Sequence, residues 1–575
     1  LRLQAGEPAA AGRLFAEAGR RALAEGAANT AVNLLDKALE LLGSGTDVQA
    51  RADALASLLL ALAEAGLVER AVTAAAQLDR FTGLLSRGSR AELHTRLAWA
   101  AAVAGRSDDG LAQVEIARRL LGPDAADRDT APVDVVAAHL VLDRPGPDQV
   151  RLAEELARRA AEVAEDNELP LVACQAWQLL GALSRPRDPQ EATACLEHAR
   201  SLAVRHDLAI EEIHALIRLG NDEALRDGGI SRLEHVRKEA SRVGAVTARF
   251  QAETCLALQL ILRADFGGAG ELLEQVLEPT SRLRLLETTR YALLLRVILT
   301  AHQGRRREMD AAFSDLRREV PEHAQLTPRE HGLARAWCAL LEEDRALATS
   351  EQARAMAAEA ESPSVYPLTG RHGLHLLLRA LAGELDRPAY EEAVASPASG
   401  LRWDRQFALF ASAVLHGREG RGDDAAEAVE QAVRFGELYP TGRHLGLRLV
   451  AEAAITDGWG TPVEWLRGAE EYFHSGGVTA VAGACRALMR RAGVRVTQRR
   501  PGFDDIPPTL RAAGVTVREY EVFQLLARRL GNREIATRLH LSPRTVEKHV
   551  ASLLAKTGLP NRTALSELAE TTLSS

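Results

Sequence analysis

Lysine is almost missing from this chain of 575 residues: of 71 basic side chains only Lys37, Lys238, Lys548 and Lys556 are lysines. A phosphate-binding P-loop needs a lysine directly after a glycine, so that its ammonium reaches the β- and γ-phosphates. Here the four lysines follow Asp36, Arg237, Glu547 and Ala555, so no P-loop is present and no ATPase activity is assigned to the chain. Cysteine is scarce as well. Cys174, Cys195, Cys255, Cys338 and Cys485 are odd in number and far apart, with no CxxC pair and no metal-ligand spacing, which argues against a disulfide framework or a zinc site and for a reduced, cytoplasmic setting. No apolar run reaches eighteen residues, and the opening LRLQAGEPAA has neither the basic nor the apolar part of a secretory signal, so no membrane association is expected. HExxH and GxSxG are absent too, and an enzyme is not expected. The chain starts at Leu1 inside helical sequence, from which a further N-terminal part is expected.

Aromatic residues make up only 4% of the chain, against 46% hydrophobic and 26% charged residues. That is the balance of an alanine- and leucine-rich helical protein, so the expected fold class is all-α. A small residue, an apolar one four later and another three after that recur along the chain. The first triple is Ala31, Leu35 and Ala38, and others begin at Ala71, Gly110, Ala153, Ala192, Gly229 and Ala269, at gaps of 40, 39, 43, 39, 37 and 40 residues. Looser continuations begin at Met309, Thr349, Ala389, Ala425 and Pro462. Positions i, i+4 and i+7 share one face of an α-helix. Each unit also has an upstream partner helix, such as Leu55 to Leu62 before Ala71, and breakers between units at Gly105–Arg106, Arg185–Pro189 and Gly420–Asp424. A unit of two helices cannot bury its apolar face alone, so consecutive units stack into a superhelix. The pattern resembles tetratricopeptide repeats, with a period near forty in place of about thirty-four. The array is either an inert spacer or a binding surface on its concave face. Its six tryptophans are scattered, which singles out no ligand platform.

Charge separates the two ends. Residues 511–575 carry ten basic and six acidic side chains, a balance of +4, and the rest carries 61 against 73, or −12. Between them Val494 to Pro508 holds three arginines, three prolines and a glycine, the composition of a linker. The expected organisation is therefore a tetratricopeptide-like array over 1–493, a linker over 494–510 and a separate domain over 511–575.

Within that tail the punctuation spells four helices. Thr516 with Glu519 has capping-box spacing ahead of Val522, Leu525 and Leu526. Gly531 ends this helix and Asn532 caps a second, whose Ile535, Ala536 and Leu539 form one apolar face. After a break at His540–Ser542, Ser542 caps and Pro543 opens a third helix to about Lys556. Gly558 stops it, and Asn561 caps a fourth. On the third helix Val546, Val550, Leu553 and Leu554 form the core face, while Arg544, Thr545, Lys548, Ala551, Ser552 and Ala555 form the opposite stripe, with Glu547 at its border. That stripe suits the major groove. Lys548 or Arg544 can donate to guanine, Glu547 can accept from cytosine only if the helix is rolled toward it, and Ala551 and Ala555 allow close approach. Thr545, Ser552 and Lys556 are placed to hold phosphates, and Arg533 and Ser542 complete the expected DNA-binding set.

The run Val515–Ala569 resembles the helix-turn-helix domain of LuxR-type regulators. The match runs through Arg518 and Glu519, Asn532, Glu534 to Ala536, Leu539, Ser542, Thr545, Val546, His549, Val550, Lys556, Gly558 and Asn561 to Thr563, with Val517 where the family has proline. This resemblance implies a transcriptional regulator that binds double-stranded DNA as a homo-oligomer, with the fourth helix as a dimer surface or a packing helix. Together with the array, and with Gly446–Gly493 at its end, the chain is similar to the C-terminal part of large ATP-binding LuxR-type regulators of the STAND class. The array is then expected to sense a small-molecule inducer or a protein partner and to control oligomerisation, with RNA polymerase a further candidate contact. ATP is expected only if an N-terminal NTPase domain exists. The alternative is a protein-binding scaffold with a secondary DNA-binding tail.

Overall fold

A side chain at i, i+4 and i+7 can reach a core only if its helix packs along that face, and in the computed structural model most of the described triples do so. The structure describes residues 7–43, 47–65, 67, 70–71, 73–74, 77, 86–103, 105–283, 285–319, 323–494, 496 and 506–574. Its described residues are helical, with no strand among them. The chain divides into two compact units, Leu1–Ala492 and Gly493–Ser575.

The first unit is a succession of helix pairs joined by short turns. Pro170–Ser184 and Pro189–Arg205 are typical. Between them Asp188 accepts from the backbone N–H of Gln190 and Glu191 at 2.9 and 3.0 Å, and Pro189 takes the first helical position, so the breakers in the sequence are cap chemistry. The need for small residues is steric. A Cβ on Gly181 would lie 2.7 Å from Leu196 Cγ and 3.0 Å from the Ala192 carbonyl oxygen. Ala31, Leu35 and Ala38, Ala153 with Ala157 and Ala160, Ala192 with Leu196 and Ala199, Ala269 with Leu273 and Val276, and Ala425 with Val429 and Ala432 are all buried. Each buried leucine contributes about 1.5–3 kcal/mol.

Several predicted triples shift. Gly229 precedes its helix, which begins at Ser231, and the buried face is Leu233, Val236 and Ala240. At the next looser unit the buried set is Ala348, Gln352 and Ala355 rather than one starting at Thr349. Ala389 is half-buried in the short helix Arg387–Val394, where Tyr390 is the buried residue. Most of the triple begun by Ala71 lies outside the described residues. The regular period also breaks between Thr327 and Leu374, where Glu330–Arg335 widens into a π-turn and 362–373 runs without regular helix. Gly332 permits this, because a Cβ there would fall 1.7 Å from the carbonyl oxygen of Thr369.

The array coils back on itself. Gly26 lies against Ala209 and Ile210, Gly105 against Glu287 and Gly228 against Leu438, so units roughly five repeats apart touch.

The second unit buries Ile506, Val522, Phe523, Leu526, Ile535, Val546, Leu553 and Leu565 together. Of the linker expected over 494–510, residues 495 and 497–505 lie outside the described residues. Ile506 and Leu510 belong to the tail's core, and Pro508 opens the helical turn Pro508–Ala512. Two of the prolines read as linker residues, Pro507 and Pro508, are thus at a helix N-terminus, where a missing donor costs nothing; Pro501 lies outside the described residues. Four helices follow: α1 (Val517–Leu526), α2 (Asn532–Leu539), α3 (Pro543–Thr557) and α4 (Arg562–Ser574).

Candidate nucleic-acid interface

The predicted caps explain where these helices begin. Thr516 and Glu519 form the capping box, with the Thr516 backbone N–H donating to Glu519 Oε2 at 2.7 Å. Ser542 Oγ accepts from the Thr545 N–H at 3.1 Å with Pro543 at the first helical position. Asn561 Oδ1 accepts from the Ala564 N–H at 3.0 Å. Two details differ from expectation. Helix α1 ends at Leu526, with Arg529 rather than Gly531 taking the left-handed conformation, at φ +55°. Gly531 instead caps α2, its N–H donating to Glu534 Oε2 at 2.7 Å, while Asn532, the expected cap, is the first helical residue and accepts from Arg562.

Side chains reaching backbone carbonyls set the relative position of these helices. Arg518 on α1 donates to the Leu539 carbonyl oxygen at 2.7 Å, tying α1 to the end of α2. Arg562 on α4 donates to the Leu530 carbonyl oxygen at 2.7 Å. His540, at φ +52°, then turns the chain from α2 into α3.

Helix α3 buries Val546, Val550 and Leu553. Beyond Pro543, its exposed residues are Arg544, Glu547, Lys548, Ala551 and Ala555. At about 100° per residue these five span one continuous stripe with Glu547 at its edge, exposed as the others are. Among the described residues Arg544 and Lys548 have no hydrogen-bond or ion-pair partner. Arg533 on α2 is likewise exposed with its guanidinium unpaired among them. Thr545 and Ser542 sit at the N-terminus of α3 with their hydroxyls 2.7 Å apart.

Ser552 departs from its expected place on the outward stripe, and Lys556, expected with it to hold phosphates, is engaged inside the domain as well. Ser552 Oγ donates to Glu519 Oε1 at 2.6 Å, and Lys556 Nζ donates to Glu519 Oε2 at 2.7 Å. Both lie on the flank of α3 that packs against α1, one helical turn apart, and the carboxylate between them directs them inward. Glu519 is 5% exposed. Burial by itself would raise its pKa, but the hydrogen bonds from Lys556, Ser552 and Thr516 overcome that and hold it at about 2. Sequence reasoning found Glu519 only as a cap. The signal that it also joins α1 to α3 was the serine and lysine four residues apart on one flank.

Helix α4 buries Leu565 and Ala569 and exposes Thr563, Glu567, Thr571 and Leu573. Arg529 anchors it through Glu570 at 2.7 Å. One face therefore packs into the domain, and the opposite face remains at the surface of this unit.

The profile described as bacterial regulatory proteins, luxR family, matches residues 513–569. The tail is a LuxR-family helix-turn-helix domain. A stretch of 183 residues is 32% identical to a protein of Mycobacterium tuberculosis (strain ATCC 25618 / H37Rv) described as an HTH-type transcriptional regulator, Rv0890c. That match takes in 28% of this chain and 19% of the relative, so the chain covers about a fifth of that protein's length. Among solved structures, yeast Tom70 aligns over 78% of this chain and 96% of its own, at 13% identity and a TM-score of 0.32. The human IFIT1 dimer with m7Gppp-AAAA aligns over 84% and 95%, at 13% identity and a TM-score of 0.26. These two likenesses are too distant to bear on function. No described helix is long and apolar enough to cross a membrane.

Proposed function

We propose that the protein is a transcriptional regulator whose LuxR-family domain reads double-stranded DNA with α3 in the major groove. Arg544 and Lys548 donate to base edges, Glu547 selects against or for its neighbouring base, and Ala551 and Ala555 let the helix approach. Arg533 and the α3 N-terminus at Ser542 and Thr545 hold phosphates. Ser552 and Lys556 act through Glu519 to fix the angle of α3. A single small domain makes few phosphate contacts, so useful occupancy requires several copies on repeated half-sites. The helical array governs that assembly in response to a small molecule or protein partner, and the chain itself performs no catalysis.

The observation that carries this reading is the pair of exposed cations, Arg544 and Lys548, unpaired among the described residues, on a capped helix whose other face is core. The test is a gel-shift titration against genomic fragments selected by the wild-type protein. Arg544→Ala with Lys548→Ala is expected to abolish selective retention. Binding unchanged from wild type would overturn it and leave a protein-binding scaffold.

A further inference from the structure

The interior of the array holds a carboxylate with nothing to bind. Asp404, in the first turn of the helix Arg402–Arg418, is 2% exposed, and its Oδ1 is buried without a hydrogen-bond partner among the described residues. It borders a cavity of about 160 Å³. The walls come from parts of the chain some 180 residues apart: Pro186 and Leu225 on one side, and Tyr366, Pro367, Leu368 and Leu401 on the other. The cations nearest the cavity are already engaged. On its wall Arg185 pairs with Asp222 and Arg226 with Asp227, and behind it Arg329 donates to the Pro367 carbonyl oxygen at 2.9 Å and to Tyr291 Oη at 2.6 Å. Glu359, also on the cavity wall, is held by Thr369 at 3.0 Å and faces Arg371 at 3.8 Å. A second, open groove of about 690 Å³ includes Arg118, Asp134 and Arg159, but there Asp134 is paired with both arginines and its charge is satisfied.

We propose that the Asp404 cavity binds a compact organic amine, its apolar body against the proline and leucine walls and its ammonium on Asp404. A cavity of about 150 Å³ lined by apolar side chains accommodates benzene, so one ring with a short aminoalkyl arm matches the space. An unpaired buried carboxylate is destabilising unless a cation joins it, which makes a cation the group with most to gain. Burial, then the charge of Glu359, pushes the Asp404 carboxyl up to about 7. An ammonium thus binds best once this proton has left. His372, with burial and Arg371 holding its pKa near 4, stays neutral over the same range. Because the walls belong to distant repeats and to the irregular segment 362–373, an occupant ties them together, which is how the site serves the sensing role proposed above, on which its regulatory meaning rests.

Benzylamine, benzyl alcohol and toluene are titrated separately into the full chain without DNA, by ligand-observed NMR and calorimetry. Benzylamine is expected to bind at least ten-fold more tightly than benzyl alcohol, with affinity rising up to ten-fold per pH unit between pH 5 and 7. Asp404→Asn is expected to bring benzylamine to the level of the alcohol without lowering the thermal midpoint, since an unpaired charge is removed. Ala398→Trp, which fills the cavity from its rim, is expected to abolish binding of all three. Equal binding of amine and alcohol, or tight benzylamine binding that survives in both variants, overturns the proposal and leaves DNA recognition untouched. If benzylamine binds but DNA retention in the gel shift is the same with and without it, the site stands and the sensing role falls.

Discussion

Replacing Glu519 by glutamine tests the idea that α3 is presented to DNA by a buried carboxylate. The hydrogen bonds from Lys556, Ser552 and Thr516 hold this group at about pKa 2 against an ordinary value of 4.5. At about 1.4 kcal/mol per unit the ionised form contributes roughly 3 kcal/mol to the folded domain at neutral pH. Glutamine keeps an acceptor for the Thr516 N–H and loses the charge facing Lys556. Lys556 is 28% exposed and regains part of its hydration, so the expected loss is about 2 kcal/mol. Hydrogen exchange on the full chain reads this directly. Amides of 515–574 are expected to exchange roughly thirty-fold faster in Glu519→Gln, at about ten-fold per 1.4 kcal/mol, with the array unchanged. The pH dependence carries the sign. A carboxylate whose folded pKa is depressed stabilises fully above its unfolded pKa of 4.5 and ceases to do so as pH falls through about 2. The difference between wild type and variant should therefore close between pH 4.5 and 2. A difference under about 0.5 kcal/mol at pH 7, or one that persists unchanged at pH 2, refutes the reasoning.

The two lysines of α3 should behave differently in salt titrations of DNA binding. Lys548→Ala is expected to cost about 1–3 kcal/mol of selectivity at the base it contacts; Lys556→Ala is expected to leave the slope of log K against log salt unchanged, because its ammonium is held by Glu519. An equal fall in slope for both would place Lys556 on a phosphate. In the array, Gly332→Ala sets a Cβ 1.7 Å from the Thr369 carbonyl oxygen and is expected to lose about 1–3 kcal/mol in denaturant unfolding. An unchanged midpoint would mean that 362–373 yields freely. Arg329→Met leaves the Pro367 carbonyl and Tyr291 hydroxyl without their donor and is expected to cost about 2–3 kcal/mol, with proteolytic cleavage within 362–373 as the readout.

Local chemistry wrote the helices of this protein into its sequence. The capping box at Thr516–Glu519 and the Ser542–Pro543 start of α3 involve residues three apart, and the stop at Gly558 needs only a glycine free to take the left-handed conformation, so each is settled near at hand in any context. The alanine-rich face of the array is equally legible, since a small residue every helical turn has meaning only where another helix comes close. Three things depended on partners distant in sequence. Ser552 and Lys556 look like phosphate ligands on a helical wheel, and Glu519, more than thirty residues upstream, turns them inward. Pro507 and Pro508, read as linker residues, became a helix start because Ile506 finds a place in the tail's core. Asp404 lies beside a cavity because the superhelix brings repeats about five units apart into contact, and that curvature is the sum of small rotations between neighbours that no single repeat encodes.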